Sequence, residues 1–437
     1  MKEKVLFPAQ ELEIAINADV IVAGGGSAGI AAAIASARNG AKTLLIEQGG
    51  CCGGMASRGL LTSIICMTDG ENILANGICR EFVERIVKDM KLAETSYRWQ
   101  NIHPESVKKI ADQMLAEAGV KVIYETVVTD CIVDNGVIKA LKCYAPCGNF
   151  AVGGKIFIDC TGDANLAALA GVPFEYGNEN REVMAPTLCV MYDNIEYQSD
   201  QRNGLGRKEW NEAAKNNQLP VNEHHFVGFF RNGDGCGAGN LGHIYETDVL
   251  DIFSRSEAWT KGRELALAYH KFFRENVKGF EQSSLTLSAD MLGVRESRRI
   301  VGEYQMTSGD YFNRQHFDDE IGSFAYPIDI HSGVSDAGKQ AAVEQNIRKV
   351  AYDAGENYGI PYRALLPKNS VNLLVAGRCI STDRAMQSSV RVVPGCMITG
   401  EGAGTAAALS VKNSCSLRTL DTKLLQTQLK KQGAFIK

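Results

Sequence analysis

The stretch ADVIVAGGGSAGIAAAIASARNGAKTLLIEQ, residues 18–48, decides the fold. Asp19–Ala23 is a short apolar run suited to a parallel strand buried on both faces. Gly24-x-Gly26-x-x-Gly29 follows at once, and IAAAIASARNGA then reads as a small-residue helix closed at Asn39-Gly40. Thr43–Ile46 is a second buried strand, ended by Glu47. Together they form one βαβ unit. The spacing gives each glycine a task. Gly24 permits the tight turn, Gly26 lets the backbone approach a pyrophosphate, and Gly29 lets the helix pack on the strand. The phosphates would rest on the helix start, at Ser27 and Ala28, where N–H groups and the dipole favour anions. Glu47 stands where a carboxylate accepts both ribose hydroxyls; it would repel a 2′-phosphate, which argues against NADP.

Working outward, Ile78–Met90 and Pro104–Ala118 carry apolar residues at helical spacing, and Val120–Tyr124 reads as a strand. Residues 125–160 change character. TVVTDCIV and VIKALKCYA flank Asp134-Asn135-Gly136, a hairpin signal, and Lys155–Asp159 returns to the main sheet. This predicts a small antiparallel meander. Residues 171–364 mix Gly, Asn, aromatic and charged residues, with one clear helix over about 257–276. Val371–Ala376 is again a buried strand, 396–412 a Gly/Ala-rich helix, and 420–437 a final surface helix. The expected class is therefore α/β: a Rossmann-type parallel sheet with an antiparallel meander, made from residues 1–170 and 365–437. An α+β substrate domain, 171–364, is inserted between them.

The chain has 437 residues, enough to bury a large core without disulfides or a structural metal. Its formal charge of -5 argues against a nucleic-acid surface. The 44 glycines, about a tenth of the chain against a usual 7% or so, fall in clusters, as expected of backbone passing close to a ligand. Thirteen scattered cysteines with no CxxC, and a start without an apolar signal region, point to a reducing cytoplasm. The most apolar window is broken by three glycines, so no membrane span is expected.

The βαβ unit alone does not separate FAD from NAD. FIDCTGD at 157–163 and VNLLVAGR at 371–378 are further strand ends suited to closing a flavin site. With them, ADMLGVRESRRIVGEY at 289–304, IPYRALLP at 360–367 and the run from Asn372 to Leu409 make the chain resemble a large group of FAD-dependent oxidoreductases. That group is distantly related to the flavoprotein subunits of fumarate reductase and succinate dehydrogenase. The resemblance implies FAD. It places Gly24, Gly26, Gly29 and Glu47 on the ADP half, and Gly53 and Gly54 along the pyrophosphate and ribityl chain. It puts Thr161, Gly162 and Asp163 nearby, and Gly377 and Arg378 at the ribityl–pyrophosphate linkage. Backbone groups of Val127 or Val128 would meet the adenine. Arg391, Gly395, Cys396 and Met397 would sit where the Gly/Ala helix points its positive end at the flavin; Gly400, Gly402 and Gly404 suggest close packing of that helix on cofactor or sheet, with packing between helices alone as the alternative. The respiratory relatives often carry their flavin on a His soon after the Gly-rich region. Residues 48–102 contain no His, which predicts dissociable, non-covalent FAD.

A flavin oxidoreductase also needs a group to handle a proton. His331 is the first candidate, with Asp329 on the same face if that segment is extended. Arg295, Arg298 and Arg299 form a second cluster, in which Arg295 and Arg298 share a face if the segment is helical. The substrate expected is a small polar metabolite, a carboxylate or a sugar-like alcohol; the electron partner is open, and a homo-oligomer is allowed. Adjacent Cys51 and Cys52 offer an alternative thiol/disulfide chemistry, although neighbouring cysteines form only a strained ring. A non-catalytic electron-transfer flavoprotein is the other alternative. His224-His225 lacks an acidic constellation, so no metal is expected.

Overall fold

The computed structural model describes residue 5 and residues 9–198, 204–221, 226, 228–335 and 352–437. Its largest sheet has seven strands. Strand β1 (Ile14–Ala23) is flanked by β2 (Thr43–Ile46) and β8 (Gly148–Asp159). A short pair, β3 (Ser63–Ile65) and β4 (Trp99–Asn101), lies outside this sheet; β5 (Lys121–Ile123) extends it beyond β2. On the other side β8 forks. Its first half pairs antiparallel with β7 (Val137–Ala145), which pairs with β6 (Val127–Asp134). Its second half pairs parallel with a last strand, Leu373–Val375. The register sets Ala23, Ile46, Ile123, Asp159 and Val375 in one row. The carboxyl ends of five parallel strands therefore open onto a single crevice, the place where open α/β sheets bind ligands.

Helix α1 (Ser27–Arg38) is buried along Ala28–Ser36 because it lies between the sheet and the C-terminal helix Val393–Asn413. Two glycines explain how close these helices come. A Cβ on Gly400 or Gly404 would stand 2.1 Å from the carbonyl oxygen of Ala28 or Ala32. Their intrinsic cost of about 1 kcal/mol each in a helix is thus offset by helix–helix contact. Gly400 and Gly404 thus take the helix–helix alternative, against α1, while Gly402 meets Ile321 in strand Glu320–Phe324.

Helices α2 (Ile78–Asp89) and α3 (Pro104–Glu117) join the same core. So do Met306, Tyr311, Ile321, Phe324, Tyr358 and Ile360. A second, four-stranded antiparallel sheet runs in the order 228–233, 236–240, 190–193, 284–288. Helix Ile252–Asn276 covers it through an aromatic core in which Trp210 and Tyr269 stack at 4.2 Å. That helix starts five residues before its expected beginning. Asp251 caps it, accepting from Phe253 N at 3.0 Å and Ser254 N at 2.8 Å. Among the described residues no helix is long and apolar enough to cross a membrane.

Candidate active site

The turn after β1 is built as its spacing requires. Gly24 has φ +97°, and a Cβ there would stand 2.6 Å from Cys160 O. A Cβ on Gly29 would stand 1.8 Å from Gly24 O. At Gly26 the situation differs: its Cβ would meet only Gly54 Cα, at 4.0 Å, and would fill the groove in front of α1. No side chain caps α1 and no acid lies in its first turn, so its N–H groups face that groove. Glu47 is buried and accepts from Gly25 N and Gly49 N, both at 2.7 Å. The acid thus ties the glycine turn to the end of β2 while still lining the groove.

The groove has a volume of about 480 Å³. Of the residues assigned to cofactor, Gly24, Gly26, Ser27, Ala28, Glu47, Gly54, Val128, Thr161, Gly162, Asp163, Gly377, Arg378, Arg391 and Cys396 line it. Gly29, Gly53, Gly395 and Met397 lie behind it. Gly53 N donates to Gly25 O at 2.9 Å, Gly395 packs on Val390 O, and Met397 is wholly buried. Asp159, at the end of β8, shapes the Thr161–Asp163 turn by accepting from Thr161 N, Thr161 Oγ1 and Ala167 N.

Charge in this groove is unbalanced. The Asp163 carboxylate pairs with Arg378 at 2.5 Å and Arg255 at 3.5 Å, while Arg298 donates to the Asp163 carbonyl at 2.9 Å. Burial works to raise the Asp163 pKa, but Arg378 and Arg255 hold it below the ordinary carboxylate range. The Nε atoms of Arg298, Arg378 and Arg391 are buried without a partner. Three guanidinium groups gathered at Asp163, two on its carboxylate and one on its carbonyl, beside an uncapped helix start, suit a pyrophosphate.

A larger cavity, about 730 Å³, adjoins this groove and shares with it Met55, Arg378, Arg391 and Val393. Its wall holds His331, Asp329, Arg295, Tyr326, Thr187 and Asn240, and Trp99 stands at an exposed part of its lining. The expected pairing of His331 with Asp329 is present: Nε2 and Oδ2 are 3.2 Å apart. Spacing of two in an extended segment puts both on one face. Nδ1 of His331 meets Nε2 of His243 at 2.8 Å, and Arg391 reaches Asp329 Oδ2 at 3.0 Å. Burial first, then the charge of Arg295, pushes His331 well below its usual range against the opposing pull of Asp329. Burial opposes ionisation of Asp329, yet His331, Arg391 and Arg295 hold it far below the carboxylate range. The pair is therefore a carboxylate against a neutral imidazole.

The arginine cluster needs correction. Residues 293–297 are not helical, and Arg298–Ile300 is a strand paired antiparallel with Phe174–Tyr176. With no helix joining them, the two arginines are free to reach different cavities. Arg295 lines the larger cavity, donating to Ala185 O at 2.6 Å and Thr187 Oγ1 at 2.7 Å, whereas Arg298 lines the groove. Arg299 is structural: it donates to buried Glu296 at 2.6 Å, and Glu296 also takes Arg384 at 2.9 Å. Cys51 and Cys52 line neither cavity; burial pushes Cys52 up to about 12 and also raises Cys51. His224 and His225 lie outside the described residues. Among the described residues no group of three acidic, His or Cys side chains is placed to hold a metal. His243, Asn240, Met55, Arg255 and Ile252 carry no local sequence signal; each enters a site through tertiary contact from a distant segment.

A family model described as FAD dependent oxidoreductase matches residues 19–429. The chain belongs to that family. FAD is its cofactor, and the groove's glycine cradle, helix start and excess positive charge fit it. No curated protein matches this FAD-dependent oxidoreductase. Among solved structures, a geranylgeranyl bacteriochlorophyll reductase-like protein from Thermoplasma acidophilum is similar, with TM-score 0.51 and 14% identity over 96% of this chain and 84% of that one. The p-nitrophenol 4-monooxygenase PnpA from Pseudomonas putida DLL-E4 gives TM-score 0.49 and 11% identity, over 95% and 88%. At this identity the first likeness is one of fold alone.

Proposed function

We propose that this oxidoreductase moves a hydride between dissociable FAD and a small polar metabolite bound in the 730 Å³ cavity, with His331 managing the accompanying proton. One observation carries the proposal: the cavity and the cofactor groove share a wall, and the His243–His331–Asp329–Arg391 chain ends on it. Bound FAD supplies the hydride chemistry. Arg378 and Arg391 orient the shared wall. Arg295 and Asn240 offer polar contacts to a hydroxyl or carboxylate. His331, neutral at rest with its Nε2–H donated to Asp329, takes a substrate proton at Nδ1 once the 2.8 Å contact to His243 opens; Asp329, still bonded at Nε2, then stabilises the imidazolium.

Dissociable cofactor is supported by the absence of His from residues 48–102; the next, His103, serves as N-cap of α3, accepting from Glu105 N at 3.3 Å. All thirteen cysteines are free, which suits a reducing cytoplasm. The thiol alternative is disfavoured because both adjacent thiols are held protonated outside the cavities. The test is anaerobic incubation of the yellow protein with a panel of hydroxy acids, polyols and sugars, following flavin bleaching near about 450 nm. Bleaching by one class, abolished in His331→Gln with cofactor still bound, is expected. Bleaching undiminished in that variant removes His331 from the mechanism; no bleaching by any donor counts against the dehydrogenase direction.

A further inference from the structure

The outer wall of the cofactor groove does not come from the βαβ unit. It comes from the segment that leads into helix Ile252–Asn276, and it carries features that protein contacts leave unexplained. Ile252 lines the groove yet is 72% exposed, so its apolar surface faces ligand space with little protein cover. The same groove is lined by Val127, 42% exposed, and Val128, at the start of β6. Arg255, one turn further along the helix, points back to Asp163 and also donates to Val249 O at 3.1 Å. Arg298, from the strand beside this segment, donates to Asn165 Oδ1 at 3.0 Å and keeps its buried Nε unpartnered.

Apolar side chains lining one slot suit the faces of a flat heteroaromatic ring. Cations at the inner end of that slot suit the phosphate attached to it. We propose that the first turn of helix Ile252–Asn276 is the second jaw of the AMP half of the FAD site. Ile252 covers one face of the adenine opposite Val127 and Val128, and Arg255 supplies charge to the adjoining phosphate. This rests on the FAD assignment and extends it to residues that no motif marks. It also ties cofactor to substrate side: the same stretch of chain, between Asp163 and Arg378, carries Arg295 and His331.

The neighbouring side chain provides a matched control. Phe253 is 73% exposed on the same turn and does not line the groove. The experiment removes FAD from the full chain and titrates it back, following quenching of flavin fluorescence, for wild type, Ile252→Ser, Arg255→Ala and Phe253→Ser. Thermal unfolding of each apo-protein is recorded alongside. Ile252→Ser and Arg255→Ala are expected to raise the FAD Kd by about five- to tenfold each, with apo-protein melting unchanged in Ile252→Ser and lowered by no more than a few degrees in Arg255→Ala, which loses its pair with Asp163. Arg255→Ala should also flatten the dependence of Kd on salt. Phe253→Ser should bind within about twofold of wild type. Equal affinity for all four proteins overturns the proposal, as does a loss in Phe253→Ser matching that in Ile252→Ser. A wild-type chain that binds no FAD overturns both this proposal and the cofactor assignment beneath it.

Discussion

The groove and the cavity share Arg378 and Arg391 but are made differently. The groove is made mainly of backbone: Gly24, Gly26 and Gly54, the uncapped start of α1, and strand ends held in register. The cavity is made of side chains from segments far apart in sequence; His243 and His331, which touch, are 88 residues apart. Backbone sites demand particular residues at fixed local spacing, because only glycine tolerates the approach distances. Side-chain sites demand only that distant segments meet. One kind is written along the chain, and the other exists only after folding.

The contrast can be broken most sharply at Gly29. Gly29→Ala puts a methyl group within van der Waals radius of Gly24 O, with backbone on both sides. Loss of all yellow colour and destabilisation by about 3 kcal/mol or more are expected, checked by flavin absorbance and thermal melting. A stable yellow Gly29→Ala protein would show that the turn can relax and is not the backbone device described. His331→Gln should behave in the opposite way: FAD affinity unchanged, with flavin reduction by the identified donor slowed about 10²- to 10⁴-fold in stopped flow. Arg378→Ala strikes the shared wall. It strips Asp163 of its closer partner, and FAD binding should weaken about 100-fold by fluorescence titration.

Two pH experiments sharpen the comparison with smaller effects. The folded state holds His331 neutral, whereas the unfolded chain takes up a proton near about pH 6.5. Stability should therefore fall as pH drops below that value, and His331→Gln should flatten the fall in denaturant melts. Glu401 lies deep beside the core, accepting from Ile78 N at 3.1 Å, and burial raises its pKa to about 8. Its folded form keeps a proton that the unfolded form loses from about pH 4.5 upward, so its contribution falls as pH rises towards 8. Glu401→Gln should remove that alkaline loss and leave acidic melts unchanged.

This division also accounts for what could be read beforehand. The first βαβ unit, the hairpin at Asn135-Gly136 and the return of β8 followed from apolar runs and turn chemistry, because local rules govern them. The pairing of Asp329 with His331 was legible because spacing of two works in any extended segment. Arg295 and Arg298 would share a face only in a helix; residues 293–297 are not helical, and the two side chains line different cavities. Asp251 as an N-cap was available in the sequence and would have moved the helix start to its true place. The polar partners of Arg295, and the meeting of Arg255 with Asp163, follow from no local pattern.

The fork in β8 has a consequence for biosynthesis. Strand Leu373–Val375 and helix Val393–Asn413 fill places beside β8 and α1 that were laid down some two hundred to four hundred residues earlier. On the ribosome, the amino-terminal half must wait with one flank of β8 unpaired and the Ala-rich side of α1 bare until the end of the chain emerges. Such long-range closure is slow and leaves adhesive surface open meanwhile. Flavin supply and chaperone access during that interval, more than the stability of the finished molecule, should govern how much yellow protein a cell recovers.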